Sequence, residues 1–141
     1  MPAEHLGMTA PDRDRSVRQL AYHIFRLSLA FREAMVERRL PEVWLVEEAP
    51  AGLGDGAALA GYGDGVRAQL ADWFGRADAC DGTVATYYGV QTAHQLLERT
   101  TWHAAQHVRQ LHGLLGRMGV TPDDPLTDAD VSGLPLPQEI W

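Results

Sequence analysis

The stretch "RTTWHAAQHVRQLH", residues 99–112, decides how this chain is read. It has helical periodicity, yet it carries His103, His107 and His112 within ten positions. Histidine adds little to helix stability, and a buried imidazole needs partners for its ring nitrogens. Followed outward, the segment predicts a long helix over about residues 91–118, closed by Gly119 as a C-terminal cap. Its inward stripe reads Leu96 or Leu97, Thr100, His103, His107, Leu111, Leu114 and Met118. His103 and His107 therefore stand at core positions one turn apart, with imidazoles on one face. Such an i,i+4 pair offers two ligands to a single divalent ion.

Two ligands hold an ion weakly, so a third is sought on a facing helix. A first helix is predicted from Asp14 or Ser16, either of which suits an N-cap, to about Arg38. Val17, Leu20, Ile24, Leu27, Phe31 and Ala34 form its apolar seam, and Pro41 stops it. His23 lies beside that seam and could face His103 and His107 inside a bundle, where metal sites are built from inward side chains. A three-histidine set with an open fourth position suits a catalytic zinc or another divalent ion. Spacing alone leaves the alternative open: an HxxxH arises by chance, and His23 reads equally as a half-buried ring bonded to a carbonyl.

Between these helices, residues 41–60 are rich in Gly and Pro and read as an ordered loop with Trp44 and Leu45 packed. A second helix is expected over about 62–77, with Val66, Leu70, Trp73 and Phe74 on one face. "CDGTVATYYGV" breaks the helical period and suggests a short extended segment. The tail after Gly119, stiffened by Pro122, Pro125, Pro135 and Pro137, is expected to lie extended across the helices, anchored by Leu134, Leu136 and Trp141.

Composition narrows the function classes. The 141 residues suffice for one domain with a modest core. All 12 basic residues are Arg, and 19 acids leave a net charge of −7, which argues against a nucleic-acid partner. The absence of Lys and Asn points to a GC-rich bacterial coding sequence. Cys80 is the single cysteine, so an internal disulfide is impossible. No apolar run approaches the ~20 residues of a membrane span and no signal-peptide core is visible, so a cytoplasmic location is expected. Of the other histidines, His112 is rotated about 140° from His107 and should face solvent. His94 and Glu98 form their own i,i+4 pair, read as a surface pair, and His5 carries no signal.

"DRDRSVRQLAYHIFRLSLAF" and "YYGVQTAHQLLERTTWHAAQHVRQLHGLLGRMGV" resemble the DinB-like family of metal-binding helical bundles. The tail "PLTDADVSGLPLPQEIW" resembles the end of one branch of it, so the likeness spans roughly residues 11–141. In that family one histidine comes from an early helix and an HxxxH pair from the last long helix, which fall here on His23, His103 and His107. The resemblance implies an all-α bundle of the up-down-down-up type. It also implies a thiol S-transferase or isomerase that uses glutathione, mycothiol or bacillithiol. The usual helix ahead of the first histidine is missing, since only "MPAEHLGMTAPD" precedes it. Relatives of this branch are found behind a thioredoxin-like domain. Either the tail or a second subunit would fill the gap, and a homodimer is expected.

A divalent ion held by three neutral histidines keeps its charge and can lower the pKa of a bound thiol or water. Zinc or nickel is expected, with affinity falling below pH ~6 as histidine protonates. Arg13, Arg15 and Arg109 are candidate contacts for the carboxylates of a low-molecular-weight thiol, because the guanidinium binds carboxylates bidentately. Tyr22, Tyr87, Tyr88 and Trp102 are candidate cavity walls. The rival reading is a metal-stabilised module without catalysis that binds a protein partner.

Overall fold

The computed structural model describes residues 3–9 and 14–140; Arg13 and Trp141, singled out above, lie outside them. The first element is a single turn, α1 (Ala3–Leu6). Leu6, 2% exposed, pins it against Val17 and Leu20. The principal helix α2 spans Val17–Glu37. Of the two candidate caps Ser16 is used: its side chain accepts from the Gln19 N–H, satisfying one of the open donors of the first turn. Arg38, at φ 56°, turns the chain out of α2, and Nη1 of the same residue donates to the Asp81 carbonyl.

Strand β1 (Arg39–Leu40) follows, then a 3-10 turn over Glu42–Leu45. Helix α3 spans Gly56–Phe74, beginning earlier than the sequence suggests. Its glycine-rich start lowers helix propensity. Asp55 caps it by accepting from Ala58 N–H, and packing against α2 supplies the rest. Gly63 is required there, because a Cβ would meet the Phe25 ring at 2.5 Å. Val66 and Trp73 are buried as expected, whereas Phe74 is 44% exposed.

The all-α expectation is corrected by a small three-stranded sheet in the order β1-β2-β3. Strands β2 (Thr83–Thr86) and β3 (Gly89–Thr92) form an antiparallel hairpin around Tyr87–Tyr88, in register Thr83↔Thr92 and Thr86↔Gly89. β1 adds to β2 in parallel, Leu40 opposite Thr86. The expected extended segment thus forms part of a hairpin whose Val84, with Leu40 of β1, plugs the core. Its partner in β1 is too short to register as a strand by periodicity.

β3 runs straight into α4 (Ala93–Arg117), with Thr92 as N-cap and Gln95 completing a capping box. The helix ends in a Schellman motif: Gly119 has φ 69°, Gly119 N–H bonds Gly116 O and Val120 N–H bonds Leu115 O. α2 packs against both α3 and α4. One core cluster joins Leu27, Phe31 and Met35 to Ala93, Leu96 and the strands; the other joins Leu20 and Ile24 to Leu111 and Leu114. Early α2 thus meets late α4, so the two helices run antiparallel. Among the described residues, no helix is long and apolar enough to cross a membrane.

Candidate metal centre

Antiparallel packing of α2 on α4 brings His23, His103 and His107 together between the two core clusters. Each offers one ring nitrogen, and these three atoms all lie within 4.8 Å of one another. Ring centroids are 4.8 Å apart for His23 and His107, 5.7 Å for His23 and His103, and 4.7 Å for His103 and His107. A tetrahedral zinc with ~2.0–2.1 Å bonds to nitrogen holds its ligands about 3.4 Å apart. His23 is buried at 5% exposure, while His103 and His107 are half-buried, leaving the pair on α4 as the side open to the outside.

The electrostatics suit a cation ligand. Burial, the nearby charge of Arg15 and the two neighbouring imidazoles push His23 down to about 3, against a weaker opposing pull from the Leu45 carbonyl. Burial, His107, Arg99 and Arg15 push His103 down to about 4. Both rings are therefore neutral at physiological pH, the form that coordinates a metal. Protonation of these two rings is moved well below the pH ~6 expected from the ordinary histidine value. The reason is mostly tertiary: burial between packed helices and the charge of Arg15, joined for His103 by Arg99, one turn earlier on α4.

The other residues proposed from sequence are distributed unevenly. Arg15 comes close enough for its charge to act on both His23 and His103. Arg109 is engaged elsewhere, with Nη1 donating to the Pro137 carbonyl at 2.7 Å and to Gln106 Oε1 at 2.9 Å. Trp102 adjoins the site, its ring 6.0 Å from that of His103. Tyr22 instead packs on Tyr62 and donates to Glu47; burial first, then Tyr62 and Glu47, raise its pKa to about 12. Tyr88 lies under the Arg99 guanidinium at 4.2 Å, and Tyr87 is exposed. His94 pairs with Glu98 on the surface, as expected, at 3.6 Å. His112 is half-buried rather than solvent-facing, but stands outside the trio. Cys80 is free and exposed.

Three residues beside the site escape the sequence reading. Gln110 approaches His107, with Oε1 2.7 Å from Nδ1; its signal is the i,i+3 step from a ligand. Gln106 is buried at 9% exposure and donates to the tail, and Arg99 acts on His103. The tail is held through these polar side chains, while Leu134 and Leu136 are only half-buried. No model of a known protein family, no curated protein and no solved structure matches the chain.

Proposed function

We propose that this chain is a DinB-like, metal-dependent enzyme that activates a low-molecular-weight thiol, or water, at His23, His103 and His107. The single observation that carries the reading is the convergence of three imidazoles from α2 and α4, with nitrogens within 4.8 Å. A bound zinc or nickel ion would supply the positive charge that brings a thiol's pKa toward neutrality. The chain's own residues do the rest. Three histidine ligands leave that charge undiminished, and His103 and His107 are only half-buried on the α4 side. Arg15, whose charge reaches both His23 and His103, suits the carboxylate of a thiol such as glutathione, mycothiol or bacillithiol. Trp102 gives a flat apolar wall beside His103.

The assembly belongs to the same proposal. α3 and α4 flank α2 and leave a cavity of about 130 Å³ lined by Phe31, Leu70, Phe74 and Leu97. A second copy laid over that groove would bury Phe74 in a two-fold interface.

The test is elemental analysis of purified protein, then a thiol-consumption screen with zinc- and nickel-loaded chain against model electrophiles. Thiol loss that depends on the ion and is abolished by His103→Ala supports the enzyme. Stoichiometric ion without turnover for any thiol favours the metal-stabilised module instead.

A further inference from the structure

One face of α4 holds the C-terminal tail by its backbone carbonyls. Trp102 Nε1 donates to Pro135 at 3.0 Å and Arg109 Nη1 to Pro137 at 2.7 Å. Gln106 Nε2 and Gln110 Nε2 both donate to Ile140, at 3.0 Å and 2.9 Å. A carbonyl only accepts, so the Gln110 amide must turn its nitrogen toward Ile140 and its oxygen away. That oxygen lies 2.7 Å from His107 Nδ1. An amide oxygen also only accepts, so Nδ1 carries the proton and the lone pair of His107 is on Nε2. One carbonyl of the tail thereby sets an amide, and the amide sets which nitrogen of a candidate ligand can bind.

We infer that Gln110 is a positioning residue for His107, presenting its Nε2 to the ion, and that the Ile140 carbonyl holds Gln110 for this task. Support of this kind is common around metal-bound histidine, where the second ring nitrogen donates to a fixed acceptor. The tail becomes part of the metal centre's support, and linkage makes the effect mutual: a bound ion favours the docked tail as the docked tail favours the ion. The inference rests on the trio holding a divalent ion, not on any reaction.

The first measurement needs neither variant nor metal. Ring ¹⁵N shifts of full-length, metal-free protein should show His107 protonated at Nδ1; protonation mainly at Nε2 overturns the inference. The second is zinc affinity, by competition with a chromophoric chelator. Gln110→Leu should weaken zinc about 10–100-fold and move the His107 proton toward Nε2. Gln110→Glu keeps an acceptor for Nδ1 and should retain the wild-type tautomer. In wild type, zinc should slow proteolysis of the tail near residues 135–140, and Gln110→Leu should abolish that protection. Equal zinc affinity in wild type and Gln110→Leu, or tail cleavage indifferent to zinc, overturns the coupling. Wild type that binds no zinc overturns the metal reading instead, while the tautomer still judges Gln110.

Discussion

His23 and His107 meet edge-to-face, 4.8 Å between ring centroids and 72° between planes. They come from different helices, so the contact exists only because α2 and α4 pack antiparallel. Neither ring has a local reason to be in a core. For His23 and His103 the cost of burial is met by neutrality.

Metal content separates this trio from the other histidines. About one zinc or nickel per chain is expected, and His23→Ala, His103→Ala and His107→Ala should each lose most of it. His94→Ala, on the exposed pair with Glu98, and His112→Ala should keep it. Ion content by mass spectrometry decides; loss in His94→Ala with retention in His23→Ala would remove α2 from the site.

Acid should destabilise the metal-free protein through the same rings. His23 and His103 fall to about 3 and 4 on folding, whereas an unfolded histidine titrates near 6.5. Between those values the unfolded chain binds more protons than the folded one, so stability falls with falling pH. The contribution of these two rings is whole above pH ~6.5 and lost as pH drops toward 4 and then 3. Chelator-treated protein should show a falling Tm across that window; a Tm flat from pH 7 to 4 contradicts it.

Zinc binding to the folded chain should respond differently. Because His23 and His103 stay unprotonated until about 3 and 4, they release no protons to an arriving ion at pH 5–6. Affinity between pH 6.5 and 5 should lose no more than about tenfold per unit, the slope of one displaced proton. Isothermal titration calorimetry in buffers of different ionisation enthalpy counts the protons directly. Three protons released per ion would mean that the rings are not held neutral.

Three glycines of α3 should part company. Gly61 and Gly65 have open space where a Cβ would go, so Ala there should stabilise the helix by ~0.5–1 kcal/mol. At Gly63 the added carbon meets the Phe25 ring at 2.5 Å, and overpacking should cost ~1–3 kcal/mol. Urea unfolding ranks the three, and Phe25→Ala should relieve Gly63→Ala. A stabilising Gly63→Ala alone would mean that the ring moves aside freely.

Sedimentation addresses the proposed second copy. A homodimer at micromolar concentration should sediment at twice 15.5 kDa, and Phe74→Glu should return it to monomer. A 15.5 kDa species at high concentration removes the dimer.

What the sequence by itself determined is what repeats locally. The seam of α2 was legible from steps of three and four, its cap as either Asp14 or Ser16, and the end of α4 from Gly119, because each depends on neighbours within about a turn. The HxxxH pair was legible for the same reason, since i and i+4 share a face whatever the helix packs against. Only the tertiary structure decided the rest. The early start of α3 required the Asp55 cap and the burial of Leu59 against Leu20 and Ile24 of α2. β1 became a strand through pairing with β2, two residues being too few to show an alternation. The low pKa values of His23 and His103 came from burial between packed helices and from the charge of Arg15, which lies outside the helix that carries His103. The tail is held by carbonyls, which every residue carries alike, so no side-chain pattern could announce that Ile140 would reach Gln110 and, through it, His107.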